Sequence, residues 1–302
     1  MLVFRLLLAR LEPGVGPVQL AITVRPRPKS KRRGISFIDS AYNKRAYKTN
    51  WTCIPICSFR RFSYILTTMT TSKQLQMTMR DMLFVTWAIE PGTARRLVDG
   101  RLELDTKVID EGKEAAFVSA VCFHVSDVRS SVIPVPRLSF EQVNYRVYVK
   151  AGGVPAVYFI EMKVNSRMVT ALTSFLSVPI QYDDIDISTS TEHSGELNYE
   201  VRSGGLRAAA LMEQPGNNKP EDRVPSDFFT QRLIGFMGTG NGMFRISVQQ
   251  PGLDAVPARP QIVQAASLEQ LGLLTREESG SPYSVLYVRE ALFEAETPSR
   301  EW

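Results

Sequence analysis

Residues 139–180, SFEQVNYRVYVKAGGVPAVYFIEMKVNSRMVTALTSFLSVPI, hold two alternating strands, a Gly-rich turn and an amphipathic helix in succession, and the rest of the chain reads outward from them. Side chains alternate with period two along a strand. Val143, Tyr145, Val147 and Val149 therefore share one apolar face of the first strand, and Asn144, Arg146 and Tyr148 share the other. Gly152-Gly153 supplies the turn. Beyond it, Tyr158, Ile160, Met162 and Val164 alternate with Phe159, Glu161 and Lys163. Where the faces of Arg146 and Glu161 coincide across the hairpin, a polar cluster results, with Arg146 paired to Glu161 or to a ligand carboxylate. In the helix, Met168, Leu172, Phe175 and Leu176 fall at i, i+4, i+7 and i+8, which predicts a core-facing stripe ended by Pro179.

Composition sets the frame. With 44% apolar and 22% charged residues, the 302-residue chain has the make-up of a globular protein able to bury a core. The net charge of +5 conceals two different segments. Residues 1–73 hold 14 Lys/Arg against 2 Asp/Glu, a balance of +12, whereas residues 74–302 hold 22 against 29, a balance of −7. The acidic body gives no electrostatic case for nucleic acid. Residues 1–73, with the basic run RPRPKSKRR at 25–33, show no sustained periodicity and read as a disordered extension. Four origins stay open for it: an upstream extension of the reading frame, an organellar transit peptide, a basic arm for nucleic acid, or a weakly ordered appendage. The single folded domain is expected over 74–302.

Cys53, Cys57 and Cys122 are too few and too scattered for a disulfide framework, which points to a reducing, cytoplasmic setting, or an organellar one if the extension is a transit peptide. No run reaches the roughly 18 apolar residues that a membrane span needs, so no membrane partner is expected.

The strand MLFVTWAI at 82–89 leads through Pro91-Gly92 into a short helix with Ala94, Leu97 and Val98 on one stripe. EAAFVSAVCFHVSDV at 114–128 is apolar on both faces, the pattern of a strand covered on both sides. Its His124 has no second ligand-type residue at metal spacing and reads as a hydrogen-bonded, half-buried histidine. QYDDIDIS at 181–188 reads as a solvated strand face in preference to a cation site built from its carboxylates, and no metal is expected. Strands follow at ELNYEVRS and GLRAAALME, then the polar loop 214–227. FFTQRLIGFM and MFRISVQQ flank GTGNG, where Asn241-Gly242 reads as a hairpin turn and not as a phosphate loop, since no helix pattern follows. Ser267 with Gln270 suggests a capping box, and YSVLYVREALF closes the chain. Many short strands and few helices predict a mainly β, α+β fold, with an antiparallel barrel as the natural way to avoid open edges.

Three stretches carry a family likeness: MLFVTWAIEPGTARRLVDGRLELD at 82–105, NYRVYVKAGGVPAVYF at 144–159 with SRM at 166–168, and FFTQR at 228–232. Together they resemble the YqjF-like proteins of domain-of-unknown-function family 2071, within the acetoacetate-decarboxylase-like superfamily. The resemblance spans about 80–295 and implies a β-barrel or cone with a ligand pocket inside. Acetoacetate decarboxylase uses a lysine that forms a Schiff base with a keto acid. Its Pro-Lys-Lys segment is matched here by Asn165-Ser166-Arg167, and a guanidinium cannot form that imine. The family more usually has Glu where Gln231 stands, and ISVQQPGLD lacks the His and Trp common in that segment.

Two readings follow: a module binding a small organic acid, or an enzyme acting on such an acid by acid/base chemistry without an imine. Asn144, Arg146, Tyr148 and Arg167 are the candidate ligand-binding residues, since a guanidinium fork matches a carboxylate. Glu161 and Lys163 are the candidate catalytic pair. No cofactor is called for, and a homo-oligomer fits the reading.

Overall fold

A computed structural model describes residues 74–301 except 110–111, 131–137, 176–177, 192–195, 213–223, 240–241 and 297. The basic extension, Leu176, the loop 214–223 and Gly240-Asn241 lie outside the described residues. Among the described residues, fifteen strands form one sheet system with five short helices. Strand β1 (Gln74–Ile89) is followed by helix α1 (Pro91–Arg95), β2 (Glu103–Leu104), β3 (Lys107–Val108), β4 (Glu114–Ser130), β5 (Phe140–Ala151), β6 (Val154–Val164) and α2 (Arg167–Phe175). Then come β7 (Ile180–Tyr182), β8 (Asp186–Thr191), β9 (Leu197–Arg202), β10 (Arg207–Met212), α3 (Ser226–Thr230), β11 (Ile234–Thr239) and β12 (Gly242–Gln249). The chain ends with β13 (Val256–Gln264), α4 (Ala266–Gln270), α5 (Arg276–Ser279), β14 (Ser284–Glu296) and β15 (Ser299–Glu301). None of these helices is long and apolar enough to cross a membrane.

The strands run β12-β11-β6-β5-β4-β1-β14, and β12 pairs again with β14 through Val248↔Ala295 and Gln249↔Glu294, so seven strands return on themselves as a ring. The sheet is mainly antiparallel, with two parallel pairings. β11 pairs with β6 in parallel, as β7 does with β6, because the chain leaves β6 through α2 and the β8–β10 layer and re-enters beside it running the same way.

Alternation then gives β4 a core on each of its faces. Inward from β4 point Phe117, Val121, Phe123 and Val125, which pack with Phe84, Phe229 and Phe293. Outward point Ala116, Val118, Ala120 and Cys122, which pack with Val143, Tyr145 and Val147 of β5 and with Tyr199, Val201, Ala208 and Ala210 of the β8–β10 layer. Both faces of β4 are thus covered, as its sequence requires. The β5–β6 hairpin closes with both glycines at positive φ, 56° and 79°, the backbone of a two-residue type I′ turn.

Several expectations are displaced. β13, which carries Pro257 and Pro260 and gives no strand signal in the sequence, pairs with β10, with an irregularity between Ala209 and Ala210 opposite Pro260. FFT belongs to helix α3, not to a strand. α4 starts after Ala265 with no side-chain cap, and the capping box belongs to α5, between Thr275 and Glu278. The stripe on α2 faces outward: Met168, Leu172 and Phe175 are 54%, 46% and 71% exposed. That helix rests against β6 and β7 and buries only Val169.

Candidate functional site

All seven ring strands contribute to the lining of a partly open cavity of ≈ 90 Å³. About 10–15 Å³ on the same measure admits one water, so the space holds several waters or a small organic molecule. Two β-bulges shape it. In β1, Asp81 takes φ 50° and the register with β4 shifts between Arg80 and Leu83, so Met79 and Met82 both point inward although they lie three residues apart. The Tyr287 hydroxyl donates to Asp81 Oδ1 at 2.6 Å and holds the bulge.

The second bulge overturns the predicted polar cluster. Opposite Tyr145/Arg146 the partners jump from Glu161 to Phe159, so Ile160 is the extra residue. Phe159 stays on Arg146's face and lines the cavity. Glu161 and Lys163 move to the opposite face, across from Tyr145 and Val143. The Arg146–Glu161 ion pair is therefore not formed: Glu161 Oε2 lies 3.0 Å from Lys163 Nζ, which donates to Ser267 Oγ at 2.9 Å above the Tyr145 ring. Burial pushes the Tyr145 and Tyr199 phenols well above their ordinary range, so neither is an anion near neutral pH. Reduction with borohydride in the presence of a keto acid is expected to leave the protein mass unchanged, because Lys163 is held in this cluster away from the cavity. A covalent adduct lost in Lys163→Ala would restore imine chemistry.

Asn144 and Arg146 line the cavity as alternation requires. Arg146 Nη2 donates to the Phe229 carbonyl at 2.8 Å and lies 3.5 Å from the Tyr148 hydroxyl. Its guanidinium sits 5.3 Å from the Phe84 ring centroid. Its Nε is buried without a hydrogen-bond partner, and among the described residues no carboxylate pairs with it. Tyr148 is fully buried beside the cavity, in a hydroxyl chain: Thr86 to Ser119 at 2.6 Å and Ser119 to Tyr148 at 2.8 Å. Arg167 is exposed on α2, stacked 4.3 Å over the Tyr182 ring, and is not part of this site.

Sequence reasoning missed Arg232, which lines the cavity and donates to Asp105 Oδ2 at 2.7 Å, with both side chains buried. A signal existed, since Asp105 ends the first family-like stretch and Arg232 ends FFTQR. Among the described residues, no group of three or more His, Cys, Asp or Glu is placed to hold a metal. His124 is half-buried and hydrogen-bonded to the Ser139 hydroxyl at 2.8 Å.

Comparison with known proteins adds the following. The profile of the family DUF2071, described as an uncharacterized conserved protein, matches residues 76–291. The uncharacterized protein YqjF of Bacillus subtilis is 30% identical over 140 residues, 45% of this chain and 54% of that protein. The chain thus spans about half the length of the curated relative it matches. Acetoacetate decarboxylase from Legionella pneumophila superposes with a TM-score of 0.50 at 10% identity, covering 76% of this chain and 88% of that one, a likeness of fold alone.

Proposed function

The chain belongs to the DUF2071 family of uncharacterised conserved proteins, and from that premise we propose that the strand ring binds a small organic acid, with Arg146 as the group that holds its carboxylate. The observation that carries this reading is a guanidinium inside a largely apolar cavity, with a buried Nε–H lacking an acceptor and no carboxylate partner among the described residues. A buried donor left unmade costs about 1–3 kcal/mol, so the guanidinium is poorly satisfied by the protein alone. Desolvation by the Phe84 ring strengthens the attraction to an anion.

Arg146→Met keeps the volume and removes the charge. It is expected to weaken carboxylate binding roughly 100-fold, within the 2–5 kcal/mol typical of truncating a buried charged partner. Stability should change by no more than about 1 kcal/mol, because the lost partners are one carbonyl and one hydroxyl. Titration calorimetry with butyrate and denaturant unfolding check the two halves; unchanged affinity removes Arg146 from the site.

A second reading, acid/base catalysis on the bound acid, draws on the Thr86–Ser119–Tyr148 chain that ends beside Arg146. Such a hydroxyl chain can pass a proton to a held substrate. Turnover lost in Tyr148→Phe with binding retained would favour it over simple binding.

A further inference from the structure

We infer that the acid is a monocarboxylate with an apolar tail, a short fatty or aromatic acid, and not a dicarboxylate or a polyhydroxy acid; this rests on the reading of the cavity as an anion site. The first argument is charge. Two guanidinium groups line the cavity, but Arg232 is neutralised by Asp105, the pair lying 2.7 Å apart with side chains only 2% and 3% exposed. Arg146 is the lining cation with no carboxylate of its own among the described residues. A ligand with one negative charge is matched. A second carboxylate would be buried without a counter-charge, which is heavily penalised.

The second argument is the remaining lining. Met79, Met82, Phe84, Phe159, Leu253 and Phe293 present apolar surface. The uncharged polar residues already have intramolecular partners. Asn144 Oδ1 accepts from Gln142 Nε2 at 2.7 Å, Thr230 Oγ1 donates to the Ser226 carbonyl at 3.1 Å, and Gln250 Nε2 donates to the Thr230 carbonyl at 3.0 Å. Each of these bonds uses part of a side chain's hydrogen-bonding capacity, and what is left for a ligand hydroxyl is small against the apolar lining. The two methionines supply flexible, polarisable walls that fit a range of tail shapes.

Titration calorimetry of the full chain with acetate, butyrate, hexanoate, benzoate, glutarate, 4-hydroxybutyrate and butyramide tests this. Each added methylene should tighten binding about fourfold until the cavity is full, from about 0.8 kcal/mol per buried CH2. Glutarate should bind about 100-fold more weakly than a monoacid of equal length, and 4-hydroxybutyrate more weakly than butyrate. Met79→Ala, which enlarges one wall, should move the optimum to a longer acid. If glutarate or 4-hydroxybutyrate binds as well as its apolar counterpart while Arg146→Met abolishes both, the apolar-tail inference falls and the anion site stands. If butyramide binds as well as butyrate, or Arg146→Met binds like the unaltered protein, the anion site itself falls.

Discussion

Asp105→Ala lowers the unfolding free energy by about 3–5 kcal/mol, because it strands the buried Arg232 guanidinium without its carboxylate. Three cations surround Asp105. Arg232 at 2.7 Å is desolvated, whereas Lys150 at 3.2 Å and Lys107 at 4.0 Å have side chains 36% and 43% exposed. Water screens the lysines, so each contributes at most about 1 kcal/mol. The double change Asp105→Leu with Arg232→Met removes both buried charges and should recover much of the loss. Urea unfolding with a constant slope measures both variants. A loss below about 1 kcal/mol for Asp105→Ala would mean that water reaches the pair.

Phe229→Ala is expected to cost a similar ~3–5 kcal/mol, by a different cause. The Phe229 ring is 1% exposed and packs edge-on against Phe117 at 5.4 Å, Tyr148 at 5.5 Å and Phe228 at 5.1 Å between centroids. Deleting it leaves a void among aromatic rings that cannot collapse onto a small side chain. Its carbonyl, which accepts from Arg146, remains in place. Phe229→Leu should therefore lose much less stability and keep carboxylate binding. If the Ala and Leu variants unfold alike, ring packing is not what Phe229 contributes.

What the sequence discloses and what it hides follow from the same property of strands. The two cores were legible on β4 and β5 because period-two alternation needs only the order of residues, and Asn144 and Arg146 fall on the inward face as read. The bulge at Ile160 was not legible. An extra residue leaves the hydrophobic pattern of IEMKV looking regular, yet it sends Glu161 and Lys163 to the outer face. The Asp81 bulge brings Met82 inward by the same effect. Pro257 and Pro260 hid β13, since a proline cannot donate to a ladder and a single sequence does not show which bonds the ladder leaves unmade. On α2, helical spacing correctly gave a stripe, but periodicity does not say which side of a helix meets the body. The Asp105–Arg232 pair joins residues 127 apart and was visible only as the shared endpoints of two family-like stretches.

The ring has one narrow seam. β14 holds β1 through paired residues from Gln74↔Glu296 to Thr86↔Ser284, but meets β12 only at Val248↔Ala295 and Gln249↔Glu294. Local opening free energies scale with what must be broken, so this join parts far more often than the long faces beside it. Val248 itself lines the cavity. Parting the seam therefore widens the way into the cavity without unfolding the sheet.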